Sequence, residues 1–242
     1  MRSALTLAAV VLVAGCGGGG AGGSGEPLDV FAASSLRDVL PDVDDAPRYT
    51  FAGSDELAAQ IRDGAPVDLF LSANRAPVQE LREASLVEPP VVFASNRLVV
   101  VVPAGDPAGV GSFEGLRRPG LKLVLGGEGV PIGDYAREAL AAADFDAALD
   151  NVVSLEQDVK GVLGKVALDE ADAGIVYATD VAAAGSGVVA LEVPDEFQPE
   201  VRYYAAVVAD GDREHAMELL ERLTGKAGAA ALRRAGFLPV PR

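Results

Sequence analysis

Val30-Phe31-Ala32-Ala33-Ser34-Ser35-Leu36 is the stretch on which the fold turns. Apolar residues that suit a strand run directly into two serines and a leucine. A serine at such a junction accepts from the free amides of a helix's first turn. Tyr49-Thr50-Phe51-Ala52-Gly53-Ser54-Asp55-Glu56-Leu57 repeats the design. Further along, strands are expected at 67–71, 98–102, 121–125, 152–154, 173–176, 188–193 and 203–208. Helices are expected at 34–40, 54–62, 77–84, 133–143, 159–168, 212–223 and 227–235. This alternation is the signature of an α/β fold with largely parallel sheets. Ligands of such folds sit beyond the carboxyl ends of strands, so the strand-to-helix turns are where chemistry is sought.

Composition narrows the function. The 242 residues carry a formal charge of −16, with 20 basic residues against 36 acidic ones. That balance excludes nucleic acid as a partner, because its recognition needs a basic footprint. It does not exclude a small anion. Surface carboxylates are screened within about 10 Å at moderate salt, and inward-pointing amides act locally. A single cysteine excludes an intrachain disulfide, and a single histidine, His215, excludes a multi-histidine metal site. Half the residues are apolar, enough for a sizeable core.

The N-terminus reads as processing information. Arg2 precedes the apolar run Ala4 to Val13, too short to span a bilayer but suited to a secretory signal. The run ends in Val13-Ala14-Gly15-Cys16, which resembles the lipobox of bacterial lipoproteins. The resemblance implies a signal peptide at 1–15, lipid on Cys16, and a glycine-rich tether over 16–25 that builds no core. The protein is then expected outside the cytoplasm, anchored to the cell membrane.

The remaining turns differ in what they offer. Gly126-Gly127-Glu128-Gly129-Val130-Pro131-Ile132-Gly133-Asp134-Tyr135 is glycine-rich but lacks the Gly-Lys-Ser/Thr end of a nucleotide phosphate loop. Pro131 suits an early helical position and leaves amides near Ile132 facing outward. Asp158-Val159-Lys160 begins another helix, and Gly174-Ile175-Val176-Tyr177 ends a strand on an aromatic hydroxyl. Taken alone, each serine reads as a cap and Tyr177 as packing.

Taken together, the motifs are specific. They are Val30 to Leu36; Phe51 to Ser54 with Leu57 and Gln60-Ile61; Gly64 to Phe70 with Ser72-Ala73; Val130 to Ala136 with Glu138-Ala139-Leu140; Asp158-Val159 with Gly161; Gly174 to Tyr177; and Gly236-Phe237. In this order they resemble the molybdate-binding proteins of ABC importers, over nearly the whole chain after the tether. The resemblance implies a two-lobed periplasmic-binding-protein fold of type II. Each lobe is a mostly parallel sheet flanked by helices, with the ligand in the cleft. Lobe 1 is expected at 26–97 plus 205–242 and lobe 2 at 98–204, with crossings at 98–102 and near 201–207. The resemblance implies that Ser35 and Ser54 hold the oxyanion from lobe 1. Lobe 2 contributes the amides of Ile132 and Val159 and the hydroxyl of Tyr177. No cofactor and no free metal cation is implied; the ligand is molybdate or tungstate. The implied partners are the importer's permease subunits, with the chain itself a monomer.

Two departures stand out. Asp55 follows Ser54, and Asp134 sits beside Ile132; each is either a first-turn acid favoured by the helix dipole or a charge facing the cleft. Two other readings stay open. One is a binding protein of the same fold for sulfate, phosphate or another small anion. The other is an extracytoplasmic hydrolase, for which His215 is the only candidate base beside Ser35 or Ser54.

Overall fold

The computed structural model describes residues 26–240. The expected signal peptide, Cys16 lipidation and tether lie outside the described residues. The chain begins β1 (Asp29–Ala33), α1 (Leu40–Val43), β2 (Arg48–Ala52), α2 (Ser54–Arg62), β3 (Leu69–Ser72), α3 (Arg75–Glu83) and β4 (Val91–Asn96). It continues β5 (Leu98–Pro103), β6 (Leu123–Gly126), α4 (Pro131–Ala142), β7 (Val152–Glu156), α5 (Val159–Ala167), β8 (Ala173–Tyr177), α6 (Ala178–Ala184) and β9 (Val188–Glu192). It closes with β10 (Val201–Val207), α7 (Arg213–Thr224) and α8 (Lys226–Arg234).

These strands form two five-stranded sheets, β2-β1-β3-β10-β4 and β7-β6-β8-β5-β9. Both are mixed in the way a mostly parallel sheet allows: four strands of each run in one direction and one, β10 or β5, runs against them. In the first, β1 is parallel to β2 and β3, while β10 is antiparallel to β3 and β4. In the second, β6 is parallel to β7 and β8, while β5 is antiparallel to β8 and β9. The cause is a double crossing. β4 leaves the first sheet and passes through Arg97 alone into β5 of the second. The chain returns after β9, and β10 inserts between β3 and β4. Gln198 ties the two crossings together: it accepts from the Leu98 amide at 2.9 Å and donates to the Leu98 and Val193 carbonyls at 2.8 and 3.0 Å.

Strand alternation distributes the core. Val30 and Ala32 of β1, Leu69 and Leu71 of β3, and Tyr203, Ala205 and Val207 of β10 face one apolar cluster. Phe31, Phe70 and Ala206 point the other way, onto Leu57, Ala58, Ile61, Val78 and Leu81 of α2 and α3. Successive strand residues alternate faces, and helices cover both. The first cluster continues through the second sheet. Tyr203 joins them, packed on Tyr177 at 5.9 Å and on Phe237 at 5.3 Å between ring centres.

One local expectation is corrected, and two elements, β4 and α6, are additions to those expected. Ser34 to Leu40 is not one helix: a single 3-10 turn covers Ser34–Leu36, and α1 starts afresh at Leu40 with Pro41 in its first turn. Proline fits there because a first-turn residue has no intrahelical acceptor for an N–H. Val91–Asn96 follows Pro89-Pro90, a turn signal locally, yet pairs with β10 more than a hundred positions away in sequence. α6 is a seven-residue segment, too short for helical periodicity to declare itself.

Candidate anion site

Five strand-to-helix junctions converge. From the first sheet come the turn after β1 and the start of α2; from the second come the starts of α4 and α5 and the end of β8. Together they line a small cleft with a cavity volume of about 10 Å³. Ser35, Ser54, Ile132, Val159 and Tyr177 all line it. Sequence reasoning did not single out Ala33, Ser34, Gly53, Ala73, Pro131 and Asp158, which line it too. Their signal was present, since most lie inside the quoted motifs, but a small residue carries no mark of the cleft it faces.

Each donor is held by its local fold. Ser54 opens α2, Ile132 is the second residue of α4 and Val159 opens α5. Amides in these positions have no carbonyl one turn earlier to receive them, and the helix ends carry partial positive charge. α5 starts where it does because Asp158 caps it, accepting from the Gly161 amide at 2.8 Å. Val159, Val162, Leu163 and Val166 then bury one stripe against the sheet. At α4 the glycine-rich turn packs close. A Cβ on Gly133 would meet the Gly127 carbonyl oxygen at 2.2 Å, so only glycine lets the turn lie against the helix.

The hydroxyls are buried and specifically partnered. Ser54 Oγ accepts from the Ala73 amide at 3.0 Å. Ser35 Oγ accepts from the Tyr203 hydroxyl at 3.0 Å. Tyr177 is 1% exposed, and its hydroxyl has no protein hydrogen-bond partner. Burial raises the Tyr177 pKa well above that of a free phenol, so the group is a neutral donor across the physiological range.

The acids divide by position. Asp134 accepts from the Gly129 amide at 2.9 Å and does not line the cavity. Asp55 does not line it either; burial raises its pKa, against lowering by backbone hydrogen bonds, and Glu56 and Asp134 raise it further. Asp158 does line it, with Oδ1 capping α5. Lys160 is the nearby cation, 2.6 Å from Asp38, just before α1, and 3.1 Å from Asp180 of α6. Asp180 is buried, and desolvation raises its pKa to about 6 despite Lys160.

The halves meet closely. A Cβ on Gly53, at the start of α2, would lie 2.4 Å from the Gln157 carbonyl oxygen, just before α5. His215 stands elsewhere, at the start of α7, with Nδ1 2.7 Å from Asp212. It does not line the cavity, and the protein partners of Ser35 and Ser54 there are Tyr203 and Ala73.

The model of the family described as bacterial extracellular solute-binding protein matches residues 28–238. Molybdate-binding protein ModA of Mycobacterium tuberculosis is 34% identical over 220 residues, covering 86% of this chain and 83% of its own. ModA of Haemophilus influenzae is 30% identical over 253 residues, covering 98% of this chain and 99% of its own. The periplasmic molybdate-binding protein of Azotobacter vinelandii superposes with a TM-score of 0.78 at 20% identity, over 89% of this chain and all of that one. That last likeness speaks to the fold, and the family match covers nearly every described residue. The chain belongs to the bacterial extracellular solute-binding protein family.

Proposed function

We propose that this protein captures molybdate outside the cytoplasm and delivers it to the permease of an ABC importer, with tungstate as an equivalent ligand. The observation that carries this reading is the buried Tyr177 hydroxyl, unpartnered by protein, on a residue that lines the same cavity as Ser35, Ser54 and the starts of α2, α4 and α5. Ser35, Ser54 and Tyr177 donate through hydroxyls, and Ser35, Ser54, Ile132 and Val159 through amides. Molybdate is a dianion whose four oxygens only accept. A wall of donors matches it. Charge-assisted hydrogen bonds contribute about 1.5–3 kcal/mol each, so several together offset its desolvation. Hydrogen phosphate brings a proton that needs an acceptor, and the one lining carboxylate, Asp158, already accepts from the Gly161 amide through Oδ1. The relatives named as molybdate-binding support the same ligand.

In this reading the chain is a binding protein without catalysis. It is monomeric and tethered by lipid on Cys16, with no cofactor. Lobe 1 comprises 26–97 plus 205–242 and lobe 2 comprises 98–204. The ligand favours closure because its donors come from both lobes. Calorimetric titration of residues 26–242 with molybdate, tungstate, sulfate and phosphate tests it. Tight stoichiometric binding of the first two is expected. Submicromolar phosphate with silent molybdate would refute the ligand assignment.

A further inference from the structure

We propose that Asn96 and Tyr203 are positioning residues that fix the direction of the Ser35 hydroxyl proton, and thereby make the pocket select fully deprotonated oxyanions. The inference rests on the anion-binding reading above and concerns how its selectivity is built. The chain of bonds begins at a group that can only donate. The Arg97 amide donates to Asn96 Oδ1 at 2.9 Å, which settles which end of the Asn96 side chain is oxygen. Asn96 Nδ2 therefore points the other way. It donates to Thr179 Oγ1 at 2.9 Å and to the Tyr203 hydroxyl oxygen at 3.4 Å. With its oxygen receiving a bond, Tyr203 directs its own proton onward, to Ser35 Oγ at 3.0 Å. Ser35 Oγ, having accepted, has one proton left, and Ser35 lines the cavity. With one of its two acceptor sites filled by Tyr203, the Ser35 hydroxyl is biased to give its proton toward the ligand.

All four side chains are buried, so water does not scramble the order. The relay starts on β4 at the crossing, runs through β10 and ends on the turn after β1. Ser54 shows the same logic in one step, because its oxygen accepts from the Ala73 amide, another group that can only donate. Burial raises the Tyr203 pKa, with smaller opposing effects from Ser35 and Asn96, so the relay keeps its proton. A ligand bearing a proton, such as hydrogen phosphate, meets a Ser35 proton held toward it and an oxygen with one acceptor site already filled.

The test uses Tyr203→Phe, which keeps the ring in the core and removes the relay. Asn96→Asp is the second variant; it turns the obligate donor into an acceptor and reverses Tyr203. Each variant and the parent are titrated calorimetrically with molybdate and with phosphate at pH 8, with thermal unfolding as the folding control. The ratio of the two affinities is the readout, because a merely structural defect weakens both ligands alike. The expected result for Tyr203→Phe is a molybdate-to-phosphate preference narrowed about tenfold or more, from the cost of an unmatched buried polar group. The same direction is expected for Asn96→Asp. A folded Tyr203→Phe variant whose ratio stays within twofold of the parent overturns the proposal, whatever Asn96→Asp does. If the parent ignores molybdate but binds sulfate, the ligand assignment fails, and the same ratio against sulfate still decides the relay. A parent that prefers hydrogen phosphate overturns both.

Discussion

Replacing Tyr177 with phenylalanine deletes one oxygen and should move two properties in opposite directions. The ring stays, so its packing against Tyr203 at 5.9 Å is retained. What leaves is a hydroxyl without a protein partner on a residue that is 1% exposed. A buried polar group left unmatched costs about 1–3 kcal/mol. The ligand-free variant should therefore be at least as stable as the parent, and more stable by up to that amount. For a chain of this size that corresponds to a rise in Tm of roughly 2–4 °C per kcal/mol. Binding should suffer. A hydrogen bond to a charged acceptor contributes about 1.5–3 kcal/mol, and about 1.4 kcal/mol is tenfold in Kd, so molybdate affinity should fall roughly ten- to a hundredfold. Thermal unfolding without ligand and calorimetric titration with molybdate read the two effects separately. Lowered stability together with unchanged affinity would refute the reasoning, because it would mean the hydroxyl is paired in the free protein and turned from the anion.

Other outcomes follow from the same geometry. Gly53→Ala sets a Cβ 2.4 Å from the Gln157 carbonyl oxygen and 2.7 Å from Asp55 Oδ1, so both must shift; molybdate affinity should fall at least about tenfold by titration, and ligand-free stability by about 1–3 kcal/mol by unfolding. Asp38→Asn removes the partner of Lys160 that lies beside the first sheet and leaves Asp180 in place. Asp38 is half-exposed, and such pairs contribute about 0–1 kcal/mol, so stopped-flow dissociation of the ligand should quicken by up to about fivefold. Burial raises the pKa of Asp180 to about 6 from 3.8, so the folded state binds this proton more tightly than the unfolded chain. The stabilisation it gives is complete below 3.8 and lost as pH rises through about 6, with a slope of at most about 1.4 kcal/mol per pH unit. Asp180→Asn should flatten that part of the profile in urea titrations between pH 4 and 7.

Much of the site was legible because its chemistry is local. Ser54, Ile132 and Val159 are donors on account of where helices begin, and the signals for those starts, such as Pro131 and Asp158, lie within a residue or two. Asp55 and Asp134 were ambiguous for the complementary reason: a first-turn acid looks the same whether or not it faces a cleft. The structure turns Asp134 to the Gly129 amide and leaves both acids off the cavity wall. Nothing in the sequence around Asn96 or Tyr203 marked them, since their roles depend on bonds to Thr179 and Ser35 across 83 and 168 positions.

From the sequence alone came the α/β class, the turns that present donors, and the single cysteine and single histidine that leave no pair for other chemistry, because each depends on residue type and short-range spacing. The mixed order of both sheets, the closeness of Gly53 to Gln157, and the unpartnered state of the Tyr177 hydroxyl were settled only in three dimensions. They depend on how two chain crossings bring distant segments together. No local pattern encodes which groups will meet there, or which will be left without a partner.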